Sequence, residues 1–321
     1  MKALVLVASS LALAMVPGCG GPKKVSEPRA EAEYRRLEKS ARTAFGRGDL
    51  QYAGELYLRA LREAQAGDDA LRMGSAAFNL AACEVALGRD DRAREWLDEA
   101  SAELVRAGEP TAGIHVLSAR IELRAGAFDA ADEAVARALD PAARAGPSEV
   151  REAWVVRGST ALEREELESA RESLAVLEGL GESPSVLGFE ADLELRSGRY
   201  SDAAQLFERQ ARSLSRASRP RAMSAALVRA GDAFELAGDR ASAADRWLRA
   251  ARARFAVAAS APRPGPQAIA DLVRAAELCA RITDSGALEA APQLVPRLEH
   301  LVREISAERE RFERFSGDPK D

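Results

Sequence analysis

The sequence predicts an all-α solenoid of antiparallel helix pairs. Three observations carry the prediction: a thirteen-residue pattern that returns six times, a small-large-small stripe inside each return, and prolines confined to the gaps between the pairs. The copies are GDLQYAGELYLRA from Gly48, GRDDRAREWLDEA from Gly88, GAFDAADEAVARA from Gly126, EELESARESLAVL from Glu165, GRYSDAAQLFERQ from Gly198 and GDRASAADRWLRA from Gly238. They start 33 to 40 residues apart. Self-similarity at that period, with helix and turn signals alternating, is the signature of stacked helical units.

Each copy reads as a turn followed by a second helix. A glycine at its first position suits a residue that ends the preceding helix in a left-handed conformation. Glu165 breaks the rule in the fourth copy and predicts a different turn there. Five residues on stands alanine every time: Ala53, Ala93, Ala131, Ala170, Ala203 and Ala243. Four further on comes a large apolar side chain: Tyr57, Leu97, Val135, Leu174, Phe207 and Trp247. Three more bring Ala60, Ala100, Ala138 and Ala250, with Leu177 and Gln210 in the fourth and fifth copies. Spacings of three and four share one helix face, so each second helix offers its neighbours a stripe that permits close approach.

A first helix precedes each turn, as in AAFNLAACEVAL before Gly88, EAWVVRGSTALE before Glu165 and LVRAGDAFELA before Gly238. Small residues recur in these helices at Ala41, Ala81, Ala119, Gly158, Ala191 and Gly231. Pro110, Pro141, Pro147, Pro184 and Pro220 fall between the pairs and none inside one. That is where proline is tolerated, since a helix interior loses ~3 kcal/mol to it.

The pattern resembles the tetratricopeptide repeat family, whose consensus runs W-x2-L-G-x2-Y, then A-x3-F and a later proline. The nearest local matches are Trp154 with Gly158, Gly231 with Phe234, and Gly198-Tyr200-Ala203-Phe207. The resemblance covers residues 34–258 as six repeats and implies a right-handed superhelix. The spacing is mostly longer than the family's and the first-helix aromatic is mostly missing.

The two ends read differently. Residues 1–18 form a leader: Lys2, then an apolar run from Ala3 to Val16 too short to span a bilayer comfortably. Val16-Pro17-Gly18-Cys19 resembles the cleavage box of bacterial lipoproteins, which implies lipidation at Cys19. Gly20, rather than Asp, follows the cysteine and points to the outer membrane with the chain facing the periplasm. Several acyl chains would hold it stably where one would not. Residues 19–33 then serve as a flexible tether, which at full extension reaches some tens of ångströms. Residues 259–267 are a proline-rich break. Residues 268–315 follow as a C-terminal helical cap or degenerate seventh repeat, with 316–321 as tail. Solenoids need such an element to cover the last unit's core. Leu298, Leu301, Val302, Ile305, Phe312 and Phe315 trace its apolar stripe.

Composition narrows the function. The chain has 46 basic and 51 acidic side chains, well mixed, and 5% aromatics. That leaves no basic footprint for nucleic acid and few stacking platforms. Cys83 and Cys279 sit in distant helical stretches, too far apart for a bridge, and are expected as buried thiols. The two histidines, His115 and His300, have no partner at ligand spacing, so no metal and no cofactor is expected. No nucleophile elbow or phosphate loop is present. The acidic pairs Asp68-Asp69 and Asp90-Asp91 stand where helices begin and suit capping. A non-enzymatic scaffold is the expectation.

In the family it resembles, the first helices line the inner groove. One position past the small residue reads Arg42, Ala82, Arg120, Ser159, Asp192 and Asp232, a drift from basic to acidic that would orient a protein partner or peptide. Asn79 lies nearby but does not by itself make a carboxylate clamp. The expected function is therefore a membrane-anchored periplasmic scaffold that binds protein partners in the assembly of an envelope or secretion complex. The alternative is a carrier or receptor for a non-protein ligand such as a cell-wall fragment, which a deep pocket between Phe78, Trp154 and Phe189 would favour.

Overall fold

The structure is a computed structural model that describes residues 29–261 and 264–316. The leader, Cys19 and most of the tether lie outside the described residues. Six helix pairs follow one another: α1 (Arg29–Arg47) with α2 (Leu50–Ala66), α3 (Ala70–Ala86) with α4 (Asp90–Ala107), α5 (Ala112–Arg124) with α6 (Phe128–Leu139), α7 (Pro147–Glu163) with α8 (Leu167–Leu180), α9 (Pro184–Arg196) with α10 (Tyr200–Arg216), and α11 (Pro220–Leu236) with α12 (Arg240–Ala259). Beyond them come α13 (Pro266–Asp284), the single turn α14 (Ala287–Ala290) and α15 (Val295–Ser316). From α1 to α14, each helix packs against the next. This is the all-α array of antiparallel pairs that the repeat pattern predicts.

The alanine stripe fixes how closely the pairs stack. Ala53, Ala93, Ala131, Ala170, Ala203 and Ala243 are all 0% exposed. Phe207 and Trp247 are fully buried beside the last two of them, whereas Leu174 is only partly buried. The small residues of the first helices face large partners. A Cβ on Gly158 would meet the ring of Phe189, and one on Gly231 would meet the indole of Trp247. Gln210, which replaces an alanine, turns its amide to the Pro184 carbonyl at 2.8 Å. The six buried clusters follow one another along the chain, and the largest joins α10 to α15.

The fourth turn departs from the expectation. Glu165 has φ +63°, in the same left-handed region as Gly48, Gly88, Gly126, Gly198 and Gly238. Its hydrogen bonds repeat those of the glycine turns. Glu165 N–H donates to Leu162 and Glu166 N–H to Ala161, as Gly88 N–H donates to Val85 and Arg89 N–H to Glu84. The two packed helices impose the turn, and the glutamate pays for a geometry that glycine would adopt freely. The 33-residue interval has another cause: α8 and α9 are short, at 14 and 13 residues.

Prolines stand at the first position of α7, α9, α11 and α13, where the missing N–H costs nothing. Asp69 caps α3 by accepting from Arg72 N–H. Helix α1 begins at Arg29, inside the stretch expected as tether, because RAEAEYRR is built from strong helix formers and Glu31 pairs with Arg35 at 2.7 Å and Arg72 at 2.8 Å. At the other end, α15 packs on α12 and α13. Its buried face is Leu298, Leu301, Ile305 and Phe312, while Val302 and Phe315 are 43% and 53% exposed. Those two belong to the sequence stripe but not to the packed face. They lie a residue or more of helical phase away from it. Cys83 and Cys279 are free and buried, and burial pushes their thiols up to about 12 and about 11. Among the described residues no helix is long and apolar enough to cross a membrane.

Candidate partner-binding groove

The first helices α3, α5 and α7 together line a cleft of about 160 Å³. Phe78 forms one wall and packs over Gly113, whose missing side chain makes the room. Val116, Leu117 and Arg120 form the floor, and Ser148, Glu149 and Glu152 the far wall. The volume is well below the 300–1,000 Å³ range of drug-sized ligand sites. Phe78 is the only one of the three expected pocket aromatics in this cleft. Phe189 is buried in the core against Gly158, and Trp154 is partly buried with the Arg157 guanidinium 5.0 Å from its ring centroid. The three aromatics therefore do not line a common pocket.

Three separate polar bridges join successive helices along the array. Arg120 on α5 pairs with Glu152 on α7. Glu152 accepts from the Ser185 hydroxyl on α9 at 2.5 Å, and Ser185 meets Ser183 at 2.8 Å. Asp192 on α9 pairs with Arg229 on α11. Asp232 on α11 accepts from the Trp247 indole N–H at 2.9 Å and pairs with Arg281 on α13 at 2.7 Å. Arg281 also reaches Glu235 at 3.1 Å and lies 4.0 Å from the Trp247 ring centroid. Each acid thus meets a base from a neighbouring pair. The groove carries charge, but the basic-to-acidic drift is largely neutralised within it.

The expected groove residues therefore differ in role. Arg42 is 74% exposed and pairs only along its own helix, with Glu38 at 2.6 Å. Asn79 donates to the Ser75 carbonyl at 2.8 Å and is half-buried, and Ser159 is half-buried on α7. Arg120, Asp192 and Asp232 each belong to one of the three bridges. Sequence reasoning missed Glu152, Ser185, Arg229 and Arg281. The signal was present, because Glu152 and Arg229 stand roughly one repeat from a groove residue of opposite charge. His115 is pushed below the ordinary imidazole range by burial and by the Arg137 charge. Among the described residues no group of three or more His, Cys, Asp or Glu is placed to hold a metal ion.

No family model matches the chain, and no curated protein does. Solved structures do. The chain is similar to a tetratricopeptide repeat protein from Parabacteroides merdae, at 18% identity over 86% of this chain and 99% of that one, with a TM-score of 0.40. It is similar to PilF of Pseudomonas aeruginosa, at 18% identity over 70% of this chain and 92% of that one, with a TM-score of 0.45. It is also similar to Cut9 in its complex with Hcn1, at 14% identity over 82% of this chain and 57% of that one, with a TM-score of 0.48. The helix pairs described above make the fold a tetratricopeptide-like solenoid.

Proposed function

We propose that this chain is a lipid-anchored periplasmic scaffold that holds a protein partner along the groove of its first helices. The observation that carries the reading is the shallow cleft of Phe78, Gly113, Val116 and Leu117, flanked by the Arg120–Glu152 pair. It offers a small apolar seat with a satisfied polar rim, the composition expected of a protein contact rather than of a small-molecule pocket. Cys19, acylated, would place the array near the outer membrane, where it serves assembly or stabilisation of an envelope complex without catalysis.

The test is site-specific photocrosslinking in intact cells. A crosslinker replaces Asn79 or Ser159 in the groove, or Glu99 on α4, a second helix, as the control. Adducts with a discrete protein from the groove positions alone support the reading. Adducts from Glu99 alone, or none from either groove position, overturn it. Cys19→Ser reports on the anchor separately: the variant protein should move from the membrane to the soluble periplasmic fraction.

A further inference from the structure

The array curves far enough for its sixth pair to touch its first. Arg221, the second residue of α11, donates from Nη1 to the carbonyl of Arg47 at 2.5 Å, across 174 residues of chain. Its guanidinium lies over Gly48, where a Cβ would collide with it. The arginine is not a loose surface chain. Its Nε donates to Asp271 Oδ2 at 2.8 Å, and Nη2 stands at the same distance from that oxygen. Asp271, on α13, is 1% exposed, and its other oxygen accepts from Arg254 Nη1 at 2.7 Å. A buried carboxylate held by two guanidinium groups fixes Arg221 in the orientation that reaches Arg47.

The contact joins opposite edges of the solenoid. In an array of antiparallel pairs, every first helix starts at one edge and every within-pair turn lies at the other. Arg47 and Gly48 belong to the turn edge of the first pair, and Arg221 to the starting edge of the sixth. We infer that the solenoid completes one superhelical turn in five pairs and is latched there by Arg221, so that the groove is an enclosed channel rather than an open crescent. The exchange of a groove-bound partner then requires the latch to open, a consequence that rests on the groove reading above. The closure itself does not depend on it.

Gly48 makes the latch separable from the fold. Gly48 and Gly88 both have positive φ, so alanine costs each a similar backbone penalty. Nothing lies within 4 Å of a Cβ on Gly88, whereas one on Gly48 displaces Arg221. Spin labels at Gln51→Cys and Ala270→Cys, both exposed sites, report the distance across the closure in the full-length protein. The expected result is one narrow, short distance distribution that broadens and lengthens in Gly48→Ala and in Arg221→Met, and not in Gly88→Ala. Circular dichroism confirms that each variant is folded. A broad distribution in the parent protein overturns the inference. So does a distribution unmoved by Gly48→Ala, or one that Gly88→Ala broadens equally. Because the readout needs no partner, failure of the latch and failure of the groove reading are distinguishable.

Discussion

Replacing Glu165 by glycine should stabilise this protein. The residue sits at φ +63° in an exposed turn, with the two hydrogen bonds that the glycine turns make. For an L-residue with a Cβ, the left-handed region costs ~1–2 kcal/mol relative to the right-handed one. Glycine removes that cost but gives back ~0.4–1 kcal/mol through the greater freedom of the unfolded chain. The balance is a gain of about 0.5–1 kcal/mol. At this chain length ~1 kcal/mol moves the melting temperature by ~2–4 °C or less, so urea titration read at its midpoint is the sharper assay. Gly88→Ala is the mirror control. It keeps the same hydrogen bonds, meets no neighbour, and should lose about 1 kcal/mol. Ser218, with φ +54° in a between-pair turn, repeats the experiment at an independent site, and Ser218→Gly should add to Glu165→Gly. If Glu165→Gly leaves the midpoint unchanged or lowers it while Gly88→Ala destabilises, the argument from backbone conformation fails.

Three further expectations follow from burial. Ala203→Leu should destabilise the fifth pair by roughly 1–3 kcal/mol, because Ala203 is 0% exposed within a buried cluster that the added carbons would overpack; unchanged thermal unfolding would place that helix face elsewhere. Cys83 and Cys279 should resist alkylation in the folded protein at neutral pH and react fully in denaturant, since burial raises both thiols. The same shifts set an alkaline limit. Burial raises the two thiols to about 12 and about 11, and burial with the Glu38 charge raises Tyr34 to about 12. All three groups are more easily ionised unfolded than folded, so their contribution is complete below pH ~8 and declines as the pH climbs toward 12. Unfolding midpoints measured from pH 7 to 11 should therefore drop at the upper end. A flat profile would mean that the thiols and the phenol are not buried as described.

Much of the architecture was legible because it is local and repeated. Ala53 and its five equivalents mark the tight face of every second helix, and the prolines mark where pairs end. Glu165 is not a legible turn signal, because packing rather than residue identity imposes the left-handed turn there. Val302 and Phe315 misled because apolar identity does not say which side of a helix is covered. The start of α1 was missed because charge and turn residues just before it suggested a tether, while the Glu31–Arg72 pair that holds it lies a whole repeat away. In the groove, the periodic positions located Arg120, Asp192 and Asp232. Their charges looked unopposed because each is answered from the neighbouring pair. The Arg221 contact was out of reach in principle. It depends on small rotations summed over five interfaces, and no single segment encodes that sum.

That contact also makes the array count. Helical arrays usually gain or lose units freely, since each unit meets only its neighbours. Here Arg221 must arrive over Gly48 after five intervals. Excising one pair cleanly at its turns would leave every local interface a counterpart, yet would swing the arginine away from the Arg47 carbonyl by a whole step of the coil. Repeat number, ordinarily a neutral variable in such proteins, here decides whether the Arg221 contact can form.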